Sequence, residues 1–211
     1  MGQSASAIVL DESRGKFGPF TGQLFVADYT LSLVMRVDLE QVNGVYQGAC
    51  FPFREGFSTG IIGALLTKEG YFLAGGCSRG WPTRGTEPYA LQRLHWSGKM
   101  PFEVLHMKAL PSGFSLEFTQ PIAEKDLKPE DFDLVTYTHY YQPGYGSPEV
   151  DQTRPQVTSV SCSDDGKKIT LIIDQLKIGH VHELKMTSLK SAFGDSLLHD
   201  TAYYTLNQIP K

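Results

Sequence analysis

Gly22-Gln-Leu-Phe-Val-Ala27 is echoed at Gly70-Tyr-Phe-Leu-Ala74, with Leu24, Phe25, Val26 and Ala27 falling on Tyr71, Phe72, Leu73 and Ala74 at an offset of 47 residues. A second strand-like stretch follows each copy: Met35-Arg-Val-Asp-Leu39 after the first, Gln92-Arg-Leu-His-Trp96 after the second. Short strands recurring every ~40–50 residues mark propeller blades. A propeller closes with about four to eight of them, and the repeat occurs only twice. Two blades would leave a sheet edge and an apolar face open. Residues 1–98 are therefore expected to be an incomplete propeller, the last blades of a longer protein.

Outward from the repeat, turn chemistry divides the strands. Val37–Val42, Asn43-Gly44 and Val45-Tyr46 read as a hairpin, because Asn-Gly accepts the positive φ angles of a type I′ turn. Lys68-Glu-Gly70 turns the chain into the second copy. The spacing of the second strands is 57 residues, ten more than that of the first. The insertion is Cys77-Ser-Arg-Gly-Trp-Pro-Thr-Arg-Gly-Thr-Glu-Pro88, a loop by its glycines and prolines that also carries two arginines and a tryptophan.

Beyond Gly98–Pro101 the pattern changes. Phe114, Leu116 and Phe118 alternate with Ser115, Glu117 and Thr119, as in a half-buried strand. Thr158–Cys162, the turn Asp164-Asp-Gly166 and Ile169–Ile173 form a second hairpin signal. His182, Leu184 and Met186 share a strand face, and Ala202–Leu206 is the last strand. The one helix-like piece is short, around Ala123 to Asp131. Residues 99–211 are expected to form an immunoglobulin-like β-sandwich, so the fold class is all-β.

Composition excludes several function classes. The 211 residues are 41% apolar, enough for real cores, and the net charge of −4 gives no electrostatic reason to bind nucleic acid or anionic membranes. No apolar run approaches the ~18 residues of a membrane span. Met1–Leu10 has neither the basic start nor the apolar stretch of a secretory signal. Cys50, Cys77 and Cys162 form no metal or heme spacing, and their odd number argues against a full disulfide framework. Cys50 and Cys77 lie in neighbouring blade-like segments, so a pair between them stays open beside the reading of three packed thiols.

Four places carry candidate chemistry. Gly56-Phe-Ser-Thr-Gly60 matches the pattern of a nucleophile elbow, which needs a helix after it. Ile61–Leu66 reads as a strand instead, so the hydrolase reading fails. His180-Val-His182 sets two imidazoles on one strand face without a third ligand nearby, which fits a core edge better than a metal. Tyr137, Tyr140, Tyr141 and Tyr145 surround His139; exposed tyrosines stack on sugar rings, with Tyr140 and Tyr141 the candidates, but interdomain or core packing is the stronger reading of the cluster. Arg79, Trp81 and Arg84 in the inserted loop, with Arg54 upstream, suit a planar anionic ligand, since arginine reads carboxylates bidentately. The alternative is a surface loop whose arginines pair with neighbouring acids.

Gly18–Asp28, Met35-Arg-Val37, Val42–Phe57 and Arg79-Gly-Trp81 resemble the last blades of glucose/sorbosone dehydrogenase-like propellers, which are large exported bacterial proteins often fused to a c-type cytochrome domain. Tyr145–Val150, His182-Glu-Leu184 and Leu198–Asn207 resemble the domain that follows those blades. The resemblance implies a parent that is periplasmic or extracellular and that uses pyrroloquinoline quinone with calcium. In such a parent a histidine base would start the oxidation of sugar or polyol by the quinone, and electrons would pass on to heme c. Base and calcium ligands would lie in blades outside these residues, so this segment alone is expected to be inactive. Only Arg79, Arg84 and Trp81 are carried over, as groups approaching the quinone carboxylates. The implied partners are the remaining blades and a c-type cytochrome domain. The other reading is a non-enzymatic surface module that binds glycan or protein.

Overall fold

A computed structural model of the chain describes residues 1–123, 127–144 and 146–211. Fifteen strands among them form three antiparallel sheets. The helix-like reading of 123–131 is corrected: its described part holds a single 3-10 turn, Pro129–Asp131, while 124–126 lie outside the described residues. Proline at the first position and four charged or polar neighbours supply a turn but no apolar stripe to propagate a helix.

The chain divides into two compact units. Unit 1 is Met1–Asp38 with Cys50–Met100, and unit 2 is Leu39–Ala49 with Pro101–Lys211. The interruption comes from one long hairpin, β3 (Leu33–Val42) and β4 (Val45–Glu55), whose tip belongs to unit 2. Asn43 and Gly44 turn it with φ of +49° and +81°, the two positive angles that the Asn-Gly pair accepts.

Unit 1 holds two antiparallel meanders. The first runs β1 (Ala5–Leu10), β2 (Leu24–Asp28) and the base of the β3–β4 hairpin; the second runs β5 (Ile61–Leu66), β6 (Tyr71–Cys77) and β7 (Tyr89–His95). Both echo stretches are strands, β2 and β6. Their phenylalanines meet: the rings of Phe25 and Phe72 are 6.0 Å apart, and Phe17 from the β1–β2 connection stacks on Phe72 at 5.8 Å. Phe53 closes the cluster 4.7 Å from Phe25. Arg36 is 1% exposed, its guanidinium 4.2 Å from the rings of both Phe20 and Phe51, and it donates to Gln23 Oε1 at 2.6 Å. A charge is tolerated there because two aromatic faces and an amide oxygen replace its hydration.

The outer faces of these meanders are a different matter. Register sets Leu65, Leu73 and Arg93 side by side, with Leu91 and Tyr89 one and two positions along. Leu91 and Tyr89 are each 77% exposed and Leu65 56%. On the first meander Ile8 pairs with Val26 and Leu10 with Leu24, and Ile8 and Leu10 are exposed. Each sheet thus has one buried and one open apolar face.

Unit 2 joins the tip of the β3–β4 hairpin to β15 (Thr201–Leu206), then β14 (His180–Lys185), β10 (Asp133–His139) and β11 (Glu149–Thr153). A second sheet has the order β12 (Val157–Cys162), β13 (Lys168–Ile173), β9 (Gly113–Phe118) and β8 (Val104–Leu110). Phe114 of β9 reaches across to Tyr204 of β15 at 4.9 Å and to His182 of β14 at 5.3 Å, so a core lies between the two sheets. The alternation expected in β9 is incomplete: Ser115 is buried along with Phe114 and Leu116. The hairpin tip is fastened by Tyr204, whose hydroxyl donates to Glu40 Oε1 and accepts from Gln47 Nε2. All three cysteines are free thiols. No helix among the described residues is long and apolar enough to cross a membrane.

Candidate functional site

The inserted loop between β6 and β7 is tied down along its length. Ser78 N donates to Pro88 O at 3.1 Å and closes its base. Arg84 N donates to Thr30 O and Glu87 N to Ser58 O, each at 2.9 Å. Gly85 N donates to Ser32 Oγ at 2.9 Å, and Thr83 Oγ1 to Gly85 O at 2.8 Å. The Tyr29 hydroxyl donates to the carbonyls of Arg79 and Trp81. Glycine is required where the loop lands: a Cβ on Gly85 would lie 2.4 Å from the Thr59 backbone.

A loop held by its backbone presents side chains outward. Arg79 and Arg84 are exposed, and Trp81 is 53% exposed. Among the described residues neither arginine takes part in an ion pair. The three expected residues therefore share one rigid loop, with their anchors on the consecutive residues Tyr29 and Thr30. Two guanidinium groups and an indole so presented can bind a planar polycarboxylate. Arg54 does not extend the set: it folds back over Phe53, its Nη1 donating to the Phe53 carbonyl at 2.6 Å.

The other candidates separate clearly. Gly56–Gly60 runs from β4 into the strand β5, with no helix to lift Ser58. Tyr137 is buried, its hydroxyl donating to Glu183 Oε2 at 3.4 Å and its ring edge-on to His139. Burial foremost, then the Glu183 carboxylate, pushes its phenol well above the ordinary range. Tyr140 and Tyr141 are 59% and 93% exposed in the loop that follows; Tyr145 lies outside the described residues. His182 is fully buried, and burial lowers its pKa to about 4. No group of three metal-ligating side chains occurs among the described residues.

Two clusters escaped sequence reasoning. Asp151 on β11 accepts from Lys177 Nζ and faces His180 Nε2 at 3.0 Å, joining residues 29 apart in sequence. Asp11, 1% exposed, takes Ser13 N on Oδ1 at 2.8 Å and leaves Oδ2 without a partner among the described residues. It lines a cleft of about 890 Å³ with Arg14, Lys16 and Lys68. The only advance signal for it was a charged Asp-Glu-Ser-Arg run at a strand end.

Compared with protein-family models, with curated proteins and with solved structures, the chain finds no match.

Proposed function

We propose that this chain is the C-terminal part of an exported, quinone-dependent sugar or polyol dehydrogenase-like protein: two propeller blades followed by an immunoglobulin-like β-sandwich. The parent would pass electrons to a c-type cytochrome, and the remaining blades would bring the histidine base and the calcium. Support comes above all from the two meanders of unit 1, packed through Phe25 and Phe72, each with an open apolar outer face. Such faces are what a blade shows when its neighbour is missing, and exposed patches of this kind are rare on complete proteins. The anchored Arg79–Trp81–Arg84 loop suits the carboxylates of pyrroloquinoline quinone. The test is dye reduction with a panel of sugars and polyols, quinone and calcium. The 211-residue chain is expected to be silent and the full parent active. Turnover by the chain alone would overturn its incompleteness, and a silent parent would overturn the dehydrogenase reading.

A second reading, a non-enzymatic glycan- or protein-binding surface module, draws on the exposure of Tyr140 and Tyr141. Binding on a glycan array that disappears in Tyr140→Ala and Tyr141→Ala would favour it, and silence across the array would count against it.

A further inference from the structure

We propose that Cys50, Met1 and Met35 form a three-sulfur site on the outer face of the first meander, and that it takes one soft monovalent metal ion, copper(I). The inference is independent of the dehydrogenase reading, and all three residues belong to unit 1. It begins from one contact: the Cys50 thiol donates to the Met1 thioether sulfur at 3.2 Å. Histidine, cysteine, aspartate and glutamate side chains nowhere gather in threes among the described residues, but thioether sulfur is a further ligand for soft metals.

The β3–β4 hairpin sets Met35 and Cys50 on one face. Its two-residue Asn43-Gly44 turn pairs Val42 with Val45, so position 36 falls opposite 51 and position 37 opposite 50. On the inner face Arg36 lies over the Phe51 ring at 4.2 Å, in keeping with that register. Cys50 and Met35 are therefore diagonal neighbours on the outer face, a separation that a side chain as long as methionine spans. Met35 also continues the outer row in which Ile8 pairs with Val26 and Val26 with Met35. The segment ahead of β1 brings the third sulfur. Asp28 Oδ2 accepts from Gln3 N and Ser4 N, each at 2.6 Å, and Ser4 Oγ lies 2.8 Å from Thr30 Oγ1. So fixed, the segment passes over Met35: a Cβ on Gly2 would lie 3.0 Å from Met35 Sδ. Met35 is buried, whereas Met1 is exposed.

The donor set selects the metal. One thiolate and two thioethers are soft ligands of the kind that suits copper(I). They fall short of the four sulfur, nitrogen or oxygen ligands of a zinc site and offer no oxygen to calcium or magnesium. A thiolate and a monovalent cation are neutral together, which fits a face that is largely apolar. Burial, ahead of the opposing pulls of the Met1 α-amino group and Arg36, raises the Cys50 thiol to about 11. The empty site therefore carries an S–H. On binding, that bond breaks, the sulfur–copper bond forms and the proton leaves to solvent; copper enters and stays as copper(I).

Anaerobic competition for copper(I) between the 211-residue chain, its Met1 verified by intact mass, and bicinchoninate tests the site. The chain is expected to withhold one equivalent. Cys50→Ser should surrender it, although Cys77 and Cys162 remain as thiols. Met35→Leu, which keeps the packed volume, and the chain lacking Met1 should each bind at least about tenfold more weakly, a loss that follows even from removing a group behind a metal ligand. Transfer of all the copper to bicinchoninate, an equivalent that persists in Cys50→Ser, or unchanged affinity in Met35→Leu or in the chain lacking Met1 overturns the proposal. A silver(I) titration followed through the methionine ε-methyl resonances decides without any variant. Of the five methionines, Met1 and Met35 should shift while Met100, Met107 and Met186 stay; still signals from Met1 or Met35 refute the site.

Discussion

His182 shows how a single buried group links packing to pH. The folded chain protonates it only near pH 4 because burial disfavours the imidazolium, whereas an unfolded chain does so near ~6.5. The unfolded state therefore binds more protons between these values, and stability falls as pH drops through that window, by about 3 kcal/mol in total. Above the window the contribution is complete. Urea unfolding at a series of pH values should show this slope, and His182→Gln should flatten it; an unchanged slope would mean other groups carry it. Tyr204 gives a second measure. Its hydroxyl serves Glu40 and Gln47 inside the core, so Tyr204→Phe leaves Glu40 short of a donor and should cost about 1–3 kcal/mol. A loss below the error of the unfolding curve would contradict the network.

Among the elements, what is legible in the sequence is local. The Asn43-Gly44 turn, the echo strands β2 and β6, and the hairpin of β12 and β13 all follow from turn residues and period-two alternation. Strand β11 is invisible by the same logic, since Glu-Val-Asp-Gln-Thr is exposed on both faces and has no alternation to read. The long-range ties are invisible too: Tyr29 holds Arg79 from 50 residues away, and Asp151 meets His180 from 29. Sequence identifies the Arg79–Trp81–Arg84 loop by composition, but only the anchors at Thr30, Ser32 and Ser58 explain why it is rigid. Gly70 belongs to this scale as well. It has φ of +88° and a Cβ there would lie 2.5 Å from the Lys16 carbonyl oxygen, so Gly70→Ala should destabilise the chain by about 1–3 kcal/mol in thermal melts. An unshifted melt would show that the turn can relax. For the loop, if the proposed parent binds quinone, Arg79→Gln with Arg84→Gln should weaken its binding of the quinone tricarboxylate at least about tenfold; unchanged affinity in a fluorescence titration would remove these residues from the proposed cofactor site.

For the whole molecule, the open faces of the two meanders decide the account. Leu91 and Tyr89 on one, Ile8 and Leu10 on the other, are exposed, and under the proposed reading further blades would cover them. The 211-residue chain should therefore self-associate at micromolar concentration, and Leu91→Lys should reduce this in sedimentation runs with less than about 0.5 kcal/mol effect on stability. Association unaffected by the lysine would place the sticky surface elsewhere. Residues 1–97 should also exchange amide hydrogens faster than 102–211; uniform protection would argue that the two meanders are sufficient alone. The most direct test of incompleteness is the intact mass of the mature protein in its native cells, detected through peptides of residues 102–211. A mass well above 23.4 kDa is predicted; a monodisperse, monomeric species of 23.4 kDa would contradict the account.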